Sequence, residues 1–259
     1  MPGSVFLSAI AFLFGLVVGS FLNVVIHRIP RGESVVVGRS KCPACGGMIA
    51  WYDNAPLLSF VSLGGKCRKC RAPISPRYPA VEFVSGTTAA LAVWFLGAGV
   101  EAVAAFVFFA LLLAITIIDW KHRIIPDSLS LGGTAAGLAL SLARDIAFVD
   151  SLAGALAGGG VLFAVAAGYR LVRKAEGMGG GDVKLMAMIG AFLGWRMVFP
   201  VLILASLGGA LYGLYLMRRG ASARSAIAFG SFLAPAAAIV YVFGHDLWRA
   251  YIGLFLGRP

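Results

Sequence analysis

The sequence predicts an all-α polytopic membrane protein of about eight transmembrane helices with one small polar loop. Of its 259 residues, 60% are hydrophobic and only 13% are charged, whereas roughly a quarter of the residues in soluble domains are charged. The apolar residues form long runs, and a single span needs about 20 such residues. All four cysteines lie in the polar segment after the first run. Lipid is therefore expected to be the main solvent of this chain.

Eight apolar runs are predicted to form the helices: 5–26, 81–97, 102–118, 129–143, 152–172, 183–193, 198–217 and 226–243. We expect the first to be retained as a span, because no basic segment precedes it. The predicted organisation is a first transmembrane helix (1–26), a four-cysteine loop (27–80) and a helical bundle (81–259). Only Trp195 and Arg196 divide the sixth run from the seventh, and a seven-helix alternative would fuse these runs. Glycines at small-xxx-small spacing predict close helix packing: Gly15 with Gly19, Gly133 with Gly137, and Gly154 with Gly158.

The distribution of charge predicts the orientation in the membrane. The net charge is +11, and the basic residues lie in loops between apolar runs, which argues against a nucleic-acid partner. In the eight-helix arrangement, 18 of the 22 Lys and Arg residues fall on one side. Cytoplasmic loops carry such an excess, so this side is predicted to be cytoplasmic, with both termini outside. The seven-helix alternative would move Arg218, Arg219 and Arg224 to the other side.

The four cysteines form two Cys-x2-Cys pairs, Cys42 with Cys45 and Cys67 with Cys70. Four thiolates at this spacing can surround one Zn²⁺ ion, and the metal then stabilises a loop that is too small for a core of its own. Disulfides are the alternative, but a cytoplasmic loop lies in a reducing compartment. The sequence therefore predicts a zinc-ribbon-like loop. Its metal is expected to be structural, since a closed four-sulfur site leaves no open position for chemistry.

Two aspartates stand at helix ends on the predicted cytoplasmic side. Asp119 ends the third apolar run, and Asp182 opens the sixth after the glycine-rich segment 177–181. An ionisable side chain at membrane depth is costly and is a functional candidate by default. When two carboxyls share a site, one can act as a base on water while the other protonates a departing amine. The pattern favours an aspartic protease, and the glycines would let an extended peptide approach the backbone.

Structural roles for the same residues remain open. Asp119 can pair with Lys121 or Arg123 at the membrane interface, and Asp182 can cap its own helix. Asp127 is the nearest alternative acid, but it follows a proline and fits a cap of the fourth helix better. A phosphate-binding role of the glycine-rich segment is not supported, because no Gly-Lys-Ser/Thr follows it.

Several further motifs extend along nearly the whole chain: GSFLN at 19–23, WYDN at 51–54, GKC at 65–67, RYP at 77–79 and GGGDVK at 179–184. With the cysteine pairs and the two aspartates, they resemble the motifs of bacterial type IV prepilin peptidases, which are GxGD intramembrane aspartic proteases. One position departs from that pattern. The segment 229–233 reads FGSFL, where the family usually carries Pro in place of Ser231, which affects the expected local helix geometry.

The resemblance implies a bifunctional enzyme of the bacterial inner membrane. Asp119 and Asp182 would be its catalytic pair, and it would remove the leaders of type IV prepilins and pseudopilins after a glycine, on the cytoplasmic side. It would then N-methylate the new terminus with S-adenosylmethionine, and the family's methyl-transfer positions fall on Gly65 and Lys66. The residues themselves give this second activity little support, because no Rossmann fingerprint is present and the loop is small.

Other functions fit part of the pattern. A transporter would use the carboxylates as a proton relay, although it leaves the cysteine loop unexplained. A scaffold of a pilus or secretion machine would need neither carboxylate, and a GxGD protease for other membrane substrates is the nearest enzymatic alternative. Because the loop is basic, we expect it to meet anionic lipid headgroups. Basic leaders would then meet the acids Asp53, Glu82 and Glu176.

Overall fold

The structure is a computed structural model that describes residues 2–174, 178–220 and 228–255, with side chains described between 4 and 244 in those ranges. Within this part of the chain the long elements are all helices, and β-structure is limited to two isolated bridges. The helices are α1 (Pro2–Arg28), α2 (Leu58–Ser62), α3 (Arg77–Leu96), α4 (Val100–His122), α5 (Asp127–Ser141), α6 (Phe148–Arg173), α7 (Gly180–Leu193), α8 (Val198–Arg218) and α9 (Gly230–Phe255).

The all-α prediction is confirmed, and each predicted apolar run corresponds to one long helix. Helices α7 and α8 are separate, because Gly194 adopts a φ of +79° and a 3-10 turn, Trp195–Met197, follows it. Five helices are long and apolar enough to cross a membrane, namely α1, α3, α4, α6 and α8. Helices α5 and α7 have 15 and 14 residues, so the count of full-length spans among the described residues is lower than the predicted eight. Residues 226 and 227 of the last run lie outside the described residues.

Contacts divide the chain into two compact units, residues 1–114 and 115–259. The division falls inside α4. The sequence predicted boundaries after residues 26 and 80, at the two ends of the polar loop. That organisation stays a prediction.

In the first unit, α1 and α3 pack closely through small residues. A Cβ added at Gly15 would lie 2.7 Å from the carbonyl oxygen of Ser85, and one at Gly19 would lie 2.7 Å from the Cα of Glu82. The Ser85 hydroxyl donates to the Gly15 carbonyl at 2.7 Å. The predicted role of this glycine pair in helix packing is confirmed.

Two charged residues of the first unit order the segments beside these helices. The Arg28 guanidinium donates to four carbonyl oxygens between residues 34 and 39, at 2.9–3.2 Å. The buried Glu82 accepts a hydrogen bond of 2.9 Å from the backbone N–H of Leu57. Leu57 precedes α2 and adopts a left-handed φ of +59°. Glu82 therefore holds the start of α2 against α3.

In the second unit, α7 is the central helix. Eight of its 14 residues are buried, including the large side chains of Leu185, Met186, Ile189 and Phe192. Its neighbours in this unit are α5, α6, α8 and α9. A helix covered in this way by protein does not need the length of a lipid-exposed span, which accounts for the short sixth run.

Helices α6 and α7 approach each other at backbone distance. A Cβ added at Gly154 would lie 2.2 Å from the carbonyl oxygen of Gly190, and one at Gly158 would lie 2.5 Å from that of Met186. The Ser151 hydroxyl donates to the Ala191 carbonyl at the same crossing. The predicted packing role of Gly154 and Gly158 is confirmed, and this crossing fixes the position of α7.

Candidate active site and metal centre

Asp119 lies in the last turn of α4. Ile115 and Ile118, which precede it in the same helix, are fully buried. Asp119 itself is only 4% exposed. The Ser231 hydroxyl donates to its Oδ2 at 2.8 Å. The backbone N–H of Ser231 also interacts with this carboxylate. The buried acid is therefore held by α9 rather than exposed at the interface.

Asp182 is the third residue of α7 and is 8% exposed. Its carboxylate interacts with the backbone N–H of Gly179, the residue that precedes the helix. An acidic residue at this position commonly caps a helix by reaching back to that N–H, so the structural interpretation of Asp182 is correct in part. The same carboxylate also interacts with the backbone N–H of Gly230 in α9 and with the charge of Asp119.

The two carboxyls therefore meet at the first turn of α9. Gly230 contacts Asp182, and the next residue, Ser231, contacts Asp119. The aspartates are 63 positions apart in the sequence, and the fold places them at adjacent backbone groups of one helix. A helix N-terminus carries unpaired N–H groups and a partial positive charge, both of which favour a nearby carboxylate.

Two glycines beside this pair lie close to Ile125, which packs between the starts of α7 and α9. A Cβ added at Gly181 would lie 2.9 Å from the Cβ of Ile125, and one at Gly230 would lie 2.6 Å from its Cδ1. At Gly180, by contrast, no described residue lies within 4 Å of an added Cβ. Of the glycines predicted to admit a peptide, Gly181 serves internal packing and Gly180 has open space beside it.

Asp127 occupies a different environment from the two buried acids. It is the first residue of α5, is exposed, and accepts hydrogen bonds of 2.7 Å from the Lys184 ammonium. Lys184 thus pairs with Asp127 rather than with Asp182. The N-cap position of α5 is Pro126, so Asp127 is a charged residue of the first helical turn rather than the predicted cap.

The four cysteines converge in the polar loop of the first unit. The Sγ atoms of Cys42, Cys45, Cys67 and Cys70 all lie within 4.8 Å of one another. The Cys42 and Cys70 sulfurs are 3.9 Å apart, and a tetrahedral zinc site with Zn–S bonds of about 2.3 Å places its sulfurs about 3.8 Å apart. The donor set and its spacing fit a four-coordinate zinc ion.

The two cysteine pairs have the same backbone pattern. The N–H of Cys42 donates to the Gly47 carbonyl, and the N–H of Cys67 donates to the Ala72 carbonyl, both at 2.9 Å. Isolated antiparallel bridges, Lys41 to Met48 and Lys66 to Pro73, close the two turns. The loop therefore contains two equivalent knuckles that present their sulfurs to a common point.

The thiols in this cluster titrate differently. Backbone N–H groups, first that of Cys70 and then that of Lys69, lower the pKa of Cys67 to about 6. The Ala72 N–H favours the Cys70 thiolate, but desolvation and the neighbouring sulfurs outweigh it and raise the pKa of Cys70 to about 11. Thiolates in contact repel each other, and a divalent cation would relieve that repulsion.

Gly65 and Lys66 lie at the base of the second knuckle. Gly65 has a φ of +68°, and a Cβ added there would lie 3.2 Å from the ring of Phe60. Its carbonyl accepts a hydrogen bond of 2.7 Å from the N–H of Ile74. The knuckle fold accounts for the glycine at position 65, and the assignment of Gly65 and Lys66 to cofactor binding stays a prediction.

The acids expected to meet basic leaders are already engaged. The Arg68 guanidinium donates to both carboxylate oxygens of Asp53 at 2.7–3.1 Å and holds the pKa of that carboxyl below its ordinary value. Glu82 is buried against the N–H of Leu57. Glu176 lies outside the described residues. The expectation for Asp53 and Glu82 is not supported.

Comparison with known proteins places the chain in a family. Residues 13–96 match the bacterial Peptidase A24 N-terminal domain, and residues 106–214 match the type IV leader peptidase family. The gap between these matches lies close to the division between the two structural units. No solved structure matches the chain significantly.

Three relatives illustrate the similarity, and each is called a prepilin leader peptidase/N-methyltransferase. The protein of Burkholderia pseudomallei is 38% identical over 91% of this chain and 85% of its own length. The protein of Aeromonas hydrophila is 37% identical over 96% of this chain and 94% of its own length. That of Myxococcus xanthus is 44% identical over 80% of this chain and 62% of its own length. The chain is a polytopic membrane protein with a buried pair of aspartates, and it belongs to the type IV leader peptidase family.

Sequence reasoning did not find the contribution of α9. Gly230 and Ser231 interact with the two aspartates, and Ile125 packs between the starts of α7 and α9. The departure from the family pattern at Ser231 was the only sequence signal for this region, and it pointed to helix geometry rather than to Asp119.

Proposed function

We propose that this protein is an intramembrane aspartic endopeptidase that removes the leaders of type IV prepilins or pseudopilins after a glycine and then N-methylates the new N-terminus. The names of the relatives support both activities and the substrate class. The observation that carries the peptidase assignment is the convergence of Asp119 and Asp182 on the first turn of α9. Two carboxyls that share one site are the minimum chemistry of an aspartic protease.

In the proposed reaction, the pair holds one proton between its two carboxyls, because two negative charges in one buried site are costly. The ionised member takes a proton from a water molecule as that water attacks the peptide carbonyl. The protonated member gives its proton to the departing nitrogen. We assign these roles to the pair rather than to either residue, since the two groups titrate together.

The peptide is expected to approach along the residues before α7. The space beside Gly180 and the Cβ-free backbone of the segment allow an extended chain to lie close to Asp182. A helical substrate must unwind at its cleavage site, because its peptide groups are otherwise hydrogen-bonded within the helix. A glycine at that site would make unwinding easier, since glycine weakens a helix.

The proposed location is the bacterial inner membrane, with the active site on the cytoplasmic side. Five helices long enough to span and an excess of basic residues on one side support it. Several of these helices expose large apolar side chains that lipid tails would cover, among them Phe14, Leu156 and Phe163. The basic polar loop would meet anionic headgroups.

The roles of the metal and of the cofactor are separate from the aspartate chemistry. Cys42, Cys45, Cys67 and Cys70 would hold Zn²⁺, which stabilises the two knuckles. S-adenosylmethionine would supply the methyl group, by analogy with the names of the relatives. Because the knuckle fold already accounts for the glycine at position 65, no step of the methyl transfer is assigned to particular residues.

The decisive experiment is mass spectrometry of a purified prepilin incubated with the purified protein, with and without S-adenosylmethionine. We expect a cut after glycine in both cases and one added methyl group only with the cofactor. Asp119→Asn and Asp182→Asn should each abolish cleavage while the protein stays folded. Asp127→Asn is the matched control, because it removes an exposed carboxylate of the same unit, and it should cut at nearly the parental rate.

The outcome separates the competing functions. Full cleavage by either buried-aspartate variant would reject the catalytic pair. A transporter with a proton relay predicts solute flux and an intact prepilin, and a scaffold predicts that the double Asn variant supports pilus assembly. A protease for other membrane substrates predicts cleavage of a different membrane protein and none of the prepilin.

A further inference from the structure

Ser231 is placed to act on one of the two aspartates. It is the second residue of α9 and is 6% exposed. Its hydroxyl donates to Asp119 Oδ2 at 2.8 Å, across 112 positions of sequence. A serine near a helix start usually bonds to its own backbone. Here the hydroxyl is directed to the carboxylate of another helix instead.

Gly230 makes this contact possible. A Cβ at Gly230 would lie 2.9 Å from Asp119 Oδ2, the same oxygen that accepts from Ser231. The carboxylate therefore lies directly against the first turn of α9. The neighbouring N–H of Gly230 interacts with Asp182. The dipeptide Gly230-Ser231 thus lies beside both carboxyls, with Gly230 next to each of them and Ser231 bonded to Asp119.

A hydrogen bond to a single carboxylate oxygen restricts rotation of the side chain and directs the other oxygen. Ser231 contacts Oδ2, and an Asp side chain has only two torsions to restrain. The relevant water must lie within about 3 Å of the base for proton transfer. A carboxylate free to rotate would spend less time in that geometry, and a misplacement of about 1 Å can cost roughly a hundredfold in rate.

We infer that Ser231 is a positioning residue for peptide hydrolysis, holding the carboxylate of Asp119 through its hydroxyl so that the pair addresses one water. This inference rests on the proposed function.

The test compares variants that keep or remove the hydroxyl. Ser231→Ala removes it, Ser231→Cys keeps the volume with only a weak donor, and Ser231→Thr keeps the hydroxyl. Steady-state cleavage of a purified prepilin in detergent gives kcat and KM for each variant. The matched control is Ser141→Ala, a buried serine of α5 whose hydroxyl bonds within its own helix.

We expect kcat to fall about tenfold in the Ala and Cys variants, as for the loss of one hydrogen bond to a charged group. KM should stay within about twofold, because the substrate does not contact Ser231 in this scheme. Ser231→Thr should retain at least about half of the parental kcat, and Ser141→Ala should match the parent. The melting temperature reports whether each variant is folded.

Three results would overturn the inference. These are a parental kcat in the Cys variant, a change confined to KM, or equal losses in the Cys and Thr variants, which would show that keeping the hydroxyl does not preserve the rate. The proposed function fails differently, because then the parent protein itself would leave the prepilin uncut.

Discussion

Replacing Gly154 by Ala tests whether the crossing of α6 and α7 sets the position of Asp182. The added Cβ would lie 2.2 Å from the Gly190 carbonyl oxygen, 2.7 Å from the Gly194 carbonyl carbon and 2.9 Å from that of Gly190. Carbon and oxygen normally approach to about 3.3 Å, so the helices must separate by roughly 1 Å. All three atoms belong to the backbone, and no side-chain rotation can relieve the contact.

The expected destabilisation follows from two opposing terms. Forcing a methyl group into a packed interface costs about 1–3 kcal/mol. Exchanging Gly for Ala inside a helix favours Ala by about 1 kcal/mol. Gly160→Ala, also in α6, is expected to show only the gain in helix propensity, because no described residue lies within 4 Å of a Cβ there. Since the obstructing atoms are backbone, we expect Gly154→Ala to be about 3 kcal/mol less stable than Gly160→Ala, or about 6–12 °C lower in melting temperature.

The measurement is thermal unfolding of both variants in the same detergent, followed by circular dichroism, together with the rate of prepilin cleavage. Asp182 lies on α7, eight residues before Gly190 and so about 12 Å along the helix. A shift of α7 by about 1 Å would therefore reach the acid and lower cleavage by up to roughly a hundredfold. Equal melting temperatures would refute the packing argument. A destabilised but fully active Gly154→Ala would refute the link to Asp182.

Three further outcomes are expected. Cys42→Ser should lose bound zinc, measured as metal per chain by elemental analysis, because a three-sulfur site binds more weakly; a parental zinc content would contradict the four-cysteine site. Lys184→Met should lower the melting temperature by less than about 2 °C and leave cleavage intact, since its pair with Asp127 is exposed; a loss of cleavage above tenfold would mean that the pair positions α7. Because Arg68 lowers the pKa of Asp53, that pair stabilises the fold above the ordinary pKa of 3.8 and loses its contribution as the pH falls through the lowered value. The difference in melting temperature between the parent and Asp53→Asn should thus be present at about pH 7 and shrink toward pH 3; a difference that grows on acidification would contradict it.

The helices and the four-cysteine cluster were predictable because their signals are local. An apolar run of membrane length reads as a helix wherever it occurs, and the eight runs correspond to eight helices. Two Cys-x2-Cys pairs predict sulfurs on two turns, and the four sulfurs do converge. The short run that opens with Asp182 was correctly kept separate from the next one, because the positive φ of Gly194 interrupts the helix.

The contacts around the aspartates were less predictable. Structural roles for Asp119 and Asp182 competed with catalysis in the sequence, and both roles have a basis, since Asp182 also interacts with the residue that precedes its helix. The glycines before Asp182 were predicted to form a single peptide-binding surface, yet Gly181 packs against Ile125. Asp53 and Glu82 looked like free acids, yet each has a partner 15 or 25 positions away.

The sequence by itself determined that the chain is a membrane protein, where its helices lie, and which cysteine pairs and acids are candidate site residues. Each of these depends on composition or on residues close together in the chain. The tertiary structure decided which groups surround those acids. Gly230 and Ser231 lie 48 and 49 positions after Asp182, in a segment whose sequence signal pointed only to helix geometry. They become part of the site only because α9 begins where α4 ends and α7 starts. A hydrogen bond between such distant residues depends on how helices pack, and packing is decided by the whole unit at once.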